Sequence, residues 1–217
     1  MRIGVPGLTT TEASVQILVQ TLEVLGQRVP QVSIRCVAVP YDHVLDSLIA
    51  HRVDVPWSPS VIEHPALLSY PLGAAPRAGI VPVLHPFAQT RSVKVEDFAA
   101  MPILYSPAVP PGLMSPGWLG DIRPLAEARL VPSTAQGLAA LLSDVGRGHG
   151  LAVLPMVLGM HLGTRTRAVV LDGAPPVEIH AVYRRGDHGP RLKEVLGRLR
   201  VFVNEIPRDP AQPSLRA

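Results

Sequence analysis

Residues 2–36, RIGVPGLTTTEASVQILVQTLEVLGQRVPQVSIRC, contain the pattern that decides the fold. Residues 2–6 are typical of a short buried strand, and Thr9 and Glu12 have the spacing of a helix capping box. Apolar residues then recur at helical spacing until Gly26 ends the run. This order predicts a strand, a turn and an amphipathic helix, which together form one β-α unit.

The same order repeats immediately along the chain. Residues 32–36 alternate apolar and polar side chains like a strand, residues 44–51 have the spacing of a second helix, and residues 53–57 form a third apolar strand. A β-α-β-α-β order predicts a parallel sheet with right-handed crossovers and helices on both faces.

The pattern changes after Trp57. Two extended apolar segments, 67–73 and 79–84, follow with few residues between them, and they are interpreted as a crossover. A second β-α series then predicts strands at 102–105, 128–131, 151–154 and 177–183, and helices at 118–122, 133–145 and from Leu192 to Phe202. The sequence therefore predicts an α/β fold with two similar lobes, and a disordered tail at 207–217.

Composition excludes several classes of protein. The chain has 217 residues, with 20 Lys and Arg against 17 Asp and Glu, and this excess of three positive charges is too small to indicate a nucleic-acid-binding surface. The single cysteine, Cys36, excludes an intrachain disulfide and a multi-cysteine zinc site. Without an apolar leader or a membrane-spanning run, we expect a cytoplasmic protein with no membrane partner.

Small hydroxyl side chains follow four of the predicted strands. Ligands of open parallel sheets lie outside the carboxyl ends of the strands, where helix N-termini favour anions. Each hydroxyl taken alone is as well explained by a helix cap, but four such ends favour a binding site. The candidate ligand-binding residues are Leu8, Thr9, Thr10, Ser58, Pro59, Ser106, Pro107, Ser133 and Thr134.

Catalytic, metal and cofactor sites are weakly supported. The eight histidines show no pair at i, i+4 on one helix and no companion cysteines, so we expect neither a metal nor a cofactor. Asp54 could be a catalytic carboxylate, but a solvated strand end or a turn bond is commoner. Trp57 could equally stack on a ligand or pack in the core. Cys36 is interpreted as a thiol packed in the core rather than as a nucleophile. Gly146–Gly150 leaves a helix and enters a strand, which favours helix termination over a phosphate loop.

Several segments, in order, resemble the effector-binding domain of LysR-type transcriptional regulators. The clearest is residues 145–155, VGRGHGLAVLP, which is similar to that family's V-x-x-G-x-G-[apolar]-x-x-[apolar]-P run. Residues 85–88, HPFA, resemble the family's H-P-L-A. Further matches lie at residues 2–4, 30–34, 48–55 and 95–102.

The resemblance implies a fold like that of type 2 periplasmic binding proteins: two α/β lobes joined by two crossover strands, with the effector in the cleft between them. Lobe I would comprise residues 1–76 and 184–206, and lobe II residues 77–183. Effector contacts would come by position from Thr9, Thr10, Ser58, Ser106 and Thr134. Their polarity suits a small anionic metabolite such as a carboxylate.

The resemblance also bears on partners and on the limits of the chain. It implies a homodimer or tetramer, in which the first helix, through Ile17, Val19 and Val24, packs on a second-lobe helix of another subunit. DNA would be contacted only through an N-terminal winged helix-turn-helix, which is absent from this sequence, so we expect a truncated chain. His51 stands where the family usually has Gly, and Pro56 and Pro59 around Trp57 are also unusual.

The sequence thus favours an effector-sensing regulatory domain that is not an enzyme. Two alternatives remain open. One is a transport-type solute-binding protein of the same fold, which the lack of a signal peptide disfavours. The other is a cytosolic enzyme on this fold, such as a prephenate dehydratase or an ATP phosphoribosyltransferase, whose motifs are not found here.

Overall fold

The computed structural model describes residues 1–6, 35–40, 43–107, 109, 115–135, 138–156, 164–187 and 189–204. The chain divides into two compact units. Unit 1 consists of Met1–Ala74 and Glu178–Asn204, and unit 2 is built on Ala75–Val177. No helix among the described residues is long and apolar enough to cross a bilayer.

Eleven strands and four α-helices are named in chain order within the described residues. The strands are β1 (Arg2–Pro6), β2 (Arg35–Val39), β3 (Val55–Ser58), β4 (Leu67–Ala75), β5 (Arg77–Pro82), β6 (Ser92–Lys94), β7 (Ile103–Tyr105), β8 (Leu130–Pro132), β9 (Ala152–Pro155), β10 (Thr166–Asp172) and β11 (Val177–Arg184). The helices are α1 (Val44–Ile49), α2 (Val95–Ala99), α3 (Leu138–Gly146) and α4 (Pro190–Asn204).

Unit 1 contains a five-stranded sheet in the order β2-β1-β3-β11-β4. Strand β1 lies parallel to both β2 and β3, as the β-α-β-α-β pattern predicts. Strand β11 returns from the distant end of the chain and pairs antiparallel with β3. Helix α1 packs on this sheet through a buried apolar cluster, which comprises Val39, Val44, Leu48, Val53, Leu67 and Val182.

Unit 2 contains two sheets. Strands β6, β10, β5 and β9 form one sheet in that order, and β7 pairs parallel with β8 in the other. The sequence interpretation missed β6 and β10, although β10 is central to its sheet and pairs with β5. A short apolar run such as Ala168–Leu171 cannot be assigned to a strand or a helix by periodicity alone.

Some predicted elements differ from those in the structure. In place of a helix at 118–122, a 3₁₀ helix covers Ser115–Trp118 and a turn follows, because Pro116 and two glycines interrupt an α-helix. The helix predicted from residue 133 begins in the described residues at Leu138. Strand β2 extends to Val39, beyond the predicted end at Cys36.

Both boundaries between the units fall earlier than those of the sequence-based lobes: the first lies between Ala74 and Ala75 rather than after residue 76, and the second is displaced further. Sequence analysis places that boundary between residues 183 and 184, whereas the contacts change between Val177 and Glu178. Pairing of β11 with β3 explains this position, because it holds residues 180 and 181 in the sheet of unit 1. The predicted first helix with Ile17, Val19 and Val24, and the tail at 207–217, lie outside the described residues.

Candidate ligand-binding sites at the strand ends

Ser58 and Pro59 mark the end of β3 in unit 1. The Ser58 residue is only 2% exposed. Its hydroxyl donates to the Ser60 carbonyl at 2.8 Å and accepts from the Ser60 N–H at 3.2 Å. The hydroxyl therefore organises the turn that leaves the strand, as a local cap would. The three candidates at the end of β1, Leu8, Thr9 and Thr10, lie outside the described residues.

His180 lies directly opposite Ser58 on the antiparallel strand β11. Directly paired residues project from the same face of a sheet, so the two side chains are neighbours. The His180 side chain is 6% exposed, and its Nε2 is 3.5 Å from Glu178 Oε2. Its Nδ1 is buried and finds no hydrogen-bond partner in the described part of the chain. Such an unmet group costs about 1–3 kcal/mol and is a common sign of a ligand contact.

Sequence analysis did not identify His180 as a candidate. In the sequence, His180 is only one histidine within a predicted strand. Its position beside Ser58 depends on pairing between segments that are more than a hundred residues apart. The one signal in the sequence was a histidine flanked by the apolar residues Ile179 and Ala181.

In unit 2, the structure brings two of the predicted strand ends together. Strands β7 and β8 are parallel, with Tyr105 in register with Pro132. The Ser133 N–H donates to the Tyr105 carbonyl at 2.8 Å, so Ser106 and Ser133 leave adjacent strands at the same edge. Ser133 is buried and Ser106 half-buried, whereas Pro107 and Thr134 are exposed.

The Ser133 hydroxyl belongs to a hydrogen-bonded group that reaches the next loop. It donates to Asp144 Oδ2 at 2.7 Å and accepts from the Ala135 N–H at 3.0 Å. The other carboxylate oxygen of Asp144 is 3.4 Å from Nδ1 of the exposed His149. A nucleophilic serine needs the imidazole on its own hydroxyl, with the carboxylate behind the imidazole. Here the carboxylate lies between them, so this arrangement does not activate the serine.

The glycine-rich run at 146–150 ends a helix, as the sequence indicates. Gly148 has φ +81 and its N–H donates to the Val145 carbonyl at 2.8 Å. The chain then enters β9 rather than a helix, so no helix N-terminus is available at this run to hold a phosphate.

Asp54 has a structural role in unit 1. Its carboxylate accepts from the Arg2 N–H at 2.7 Å and from Arg2 Nη2 at 2.9 Å, and it lies 3.5 Å from Arg184 Nη2. Burial raises the pKa of Asp54, but the hydrogen bonds and charge of Arg2 outweigh that effect and lower it. An ionised carboxylate engaged by two arginines is a poor proton donor or acceptor, so the turn-bond interpretation is the one that fits.

Two further family-like positions have clear local roles. His51, which replaces the family's usual Gly, takes φ +54, so the turn after α1 keeps a left-handed residue. His85 of the HPFA segment caps the 3₁₀ helix Pro86–Gln89, because its Nδ1 accepts from the Phe87 N–H at 3.2 Å. Burial lowers the pKa of His85, which favours the neutral ring that this cap needs.

Neither a metal cluster nor a catalytic set emerges from the described residues. No group of three or more His, Cys, Asp and Glu side chains in that part of the chain could hold a metal ion. Trp57 is half-buried next to Ser58, with Ala181 as its partner in β11. The groups available at the described strand ends include hydroxyls, backbone amides and one imidazole, all of which can form hydrogen bonds with a ligand.

Comparison with solved structures supports the same fold. The BenM effector binding domain, solved with its effector benzoate, is 17% identical, with a TM-score of 0.69 over 93% of this chain and 90% of that chain. The effector binding domain of QuiR in complex with shikimate is 14% identical, with a TM-score of 0.65 over 94% and 96%. Full-length CbnR complexed with its target DNA is 14% identical, with a TM-score of 0.71 over 94% and 70%.

These likenesses confirm the predicted fold class, that of type 2 periplasmic binding proteins, with two α/β lobes joined by two crossover strands. No curated protein matches the sequence. Residues 2–202, however, match the LysR substrate binding domain family. The chain therefore belongs to the LysR substrate binding domain family.

Proposed function

We propose that this chain is the effector-sensing domain of a LysR-type transcriptional regulator and that its effector is a small carboxylate. The observation that carries the proposal is the family match over residues 2–202. The chemistry of the ligand is supported by two structural relatives, since benzoate and shikimate are both small carboxylates.

The proposed effector contacts are residues that follow the strands in the sequence. In unit 1 these are Ser58 and Pro59, together with Leu8, Thr9 and Thr10, which come after β1 along the chain. In unit 2 they are Ser106, Pro107, Ser133 and Thr134. The Ser133 hydroxyl already donates to Asp144, so Thr134, whose side chain is exposed, supplies the hydroxyl donor at that strand end.

His180 adds a contact that the resemblance alone does not supply. Its buried Nδ1 lacks a partner within the described residues, and the residue lies beside Ser58. A ligand group that forms a hydrogen bond with Nδ1 would remove the cost of leaving this atom unmet. The imidazole therefore selects ligands with a polar group at that position.

Regulation follows from a ligand that binds one arrangement of the lobes more tightly than another. Such a ligand shifts the equilibrium by its difference in affinity, and the shift is passed to the DNA-binding part of the regulator. This role needs no catalysis, and we propose that the domain performs none. It also places the domain in the cytoplasm, in a homodimer or tetramer.

Thermal unfolding in the presence of benzoate, shikimate and a panel of related carboxylates tests the proposal. A ligand at 100 times its Kd should stabilise the domain by about 2.7 kcal/mol. Trp57 fluorescence should change with the same ligand. Chromatography of the ligand after incubation should recover it unchanged, whereas turnover would revive the enzyme alternative.

Variants then test the assigned contacts. Thr134→Ala and His180→Leu should each weaken binding by calorimetry about five-fold or more, as expected for loss of one hydrogen bond of about 1 kcal/mol. Ser58→Ala should also weaken binding, because it removes the hydroxyl bonds to Ser60 that shape the turn after β3. Ser143→Ala, an exposed serine of α3, is the matched control and should bind as wild type does. Equal affinity in all four variants would contradict the proposed site.

A further inference from the structure

Arg123 presents a feature that the proposed effector site does not use. All three nitrogens of its guanidinium are buried, and none has a hydrogen-bond partner among the described residues. Only its backbone is engaged, because the Arg123 N–H donates to the Leu119 carbonyl at 3.1 Å. A guanidinium carries five N–H donors, so a considerable hydrogen-bonding capacity is buried and unmet.

Among the described residues of this unit, no acidic side chain forms a hydrogen bond with the Arg123 guanidinium. Two of the acidic side chains of residues 75–177 are engaged elsewhere: Asp121 binds Arg77, and Asp144 binds Ser133. Glu127 is exposed and acts on Arg123 only through space, without a hydrogen bond. The remaining acidic residues, all exposed, are Glu96, Asp97 and Asp172.

The backbone that carries Arg123 is held firmly in unit 2. Arg77, whose side chain is 1% exposed, donates to the Pro116 carbonyl at 2.9 Å and binds Asp121 through two bonds of 2.8 and 2.7 Å. Leu119 is fully buried and has φ +58, a conformation that costs an L-residue about 1–2 kcal/mol. The turn that presents Arg123 is thus anchored on both sides, and its backbone is strained.

The group remains charged in this position. Burial lowers the pKa of Arg123 and Glu127 raises it, but a guanidinium keeps its proton at neutral pH. A buried charge without a partner costs several kcal/mol. Folded proteins pair such charges, so a partner from outside the unit is the simplest completion of the site.

We propose that Arg123 is the anchor of an anion-binding site in unit 2, which accepts a small oxyanion through two parallel N–H···O bonds. The shared chemistry is that of a carboxylate or a phosphate, each with two oxygens spaced to match a guanidinium. Arg123 is not among the strand-end residues assigned to the effector. An oxyanion bound at Arg123 stabilises the domain in addition to the effector.

Thermal unfolding and calorimetry of the purified chain with sodium phosphate or sodium acetate test this site. Sodium chloride at equal ionic strength is the reference for each. The wild type should show a saturable rise in unfolding midpoint with at least one oxyanion, and the Arg Nε–Hε NMR signal that is lost in Arg123→Gln should shift with it. A rise with acetate alone identifies a carboxylate site, and a rise with phosphate alone a phosphate site.

Arg123→Gln should abolish the response, while Arg129→Gln, an exposed arginine of the same unit, should keep it. Arg123→Met provides a second readout, since an apolar side chain of similar size removes the unpaired charge. Its unfolding midpoint in oxyanion-free buffer should exceed that of wild type, with no further rise on adding phosphate or acetate.

Two results would overturn the proposal: no saturable response of wild type beyond sodium chloride, or an undiminished response in Arg123→Gln. Ser58→Ala separates this site from the effector site, because it should keep the oxyanion response while losing affinity for the effector. Failure of one proposal is therefore visible independently of the other.

Discussion

His51 shows how a single residue can depart from a family pattern without altering the turn it occupies. Its φ of +54 lies in the left-handed region, which glycine adopts at little cost and other residues do not. The backbone around it is tied by hydrogen bonds from the His51 and Arg52 N–H groups to the Leu48 and Ser47 carbonyls, at 3.1 and 2.8 Å. The surrounding bonds thus hold the conformation that the side chain disfavours.

Replacing His51 with glycine should therefore stabilise the domain. We expect His51→Gly to raise the free energy of unfolding by about 0.5–1 kcal/mol, because relief of the left-handed cost exceeds the added entropy of the unfolded chain. Urea denaturation measures the change. Ala50→Gly, at an ordinary φ of −77, should instead lower stability. A destabilised His51→Gly would show that the ring makes contacts worth more than the strain.

Ser58 and Ser133 show what local sequence cannot decide about the role of a single residue. The sequence allowed a cap or a ligand contact for Ser58 and Ser133, and both hydroxyls make short local bonds in the structure. A hydroxyl that caps a turn can still belong to a ligand-binding site, because the same turn orients backbone N–H groups that can donate to a ligand. Their role toward a ligand remains a prediction.

Asp54 acts on the scale of elements, because it fixes the start of β1 beside the segment that leads into β3. Asp54→Asn should lower the free energy of unfolding by about 1–3 kcal/mol at pH 7, through the loss of charge-assisted bonds to Arg2. Thermal unfolding at several pH values measures the difference from wild type.

The pH dependence of that difference follows from the lowered pKa of Asp54. A carboxylate with a lowered pKa in the folded state stabilises above its ordinary value of 3.8, and the contribution is lost as the pH falls through the folded value. The difference between wild type and Asp54→Asn should therefore be constant near neutral pH and shrink below about pH 4. The exposed Asp172→Asn is the control and should show no such trend. A difference that persists unchanged in acid would contradict this role.

The packing of α2 against β5 also depends on contacts between elements. A Cβ added at Gly79 would collide with the fully buried ring of Phe98 and approach Leu171 Cδ2 to 2.9 Å. Gly79→Ala should therefore cost about 1–3 kcal/mol by overpacking, as measured by chemical denaturation. Gly197→Ala in α4, where an added Cβ would meet no described atom within 4 Å beyond the helix's own backbone, should be neutral or stabilising by up to about 1 kcal/mol. Equal effects of the two changes would refute the packing argument.

At the scale of the whole molecule, two units are formed by a chain that passes from one to the other and back. The passages fall between Ala74 and Ala75 at the end of β4 and between Val177 and Glu178 at the start of β11. Strand β11 therefore brings a late segment of the chain into the first sheet, where it places His180 opposite Ser58.

Amide hydrogen exchange tests the assigned contacts in each unit separately. A carboxylate identified by thermal screening should slow exchange at the strand-end residues proposed to contact it, which are 57–60 in unit 1 and 105–107 and 133–135 in unit 2, because a bound ligand stabilises the backbone around it. Mass spectrometry of the exchanged protein resolves the two units. Protection confined to one unit would indicate a ligand site that the other unit does not share.

The sequence by itself determined the order of β1, β2, α1 and β3, the helix stop at 146–150 and the family, because periodicity, turns and short motifs are local properties. Tertiary structure alone decided that β10 is central to its sheet, that His180 lies opposite Ser58, and that the Arg123 guanidinium nitrogens are buried without a hydrogen-bond partner among the described residues. These facts depend on pairing and packing between distant segments, and residue spacing along the chain does not encode which segments meet.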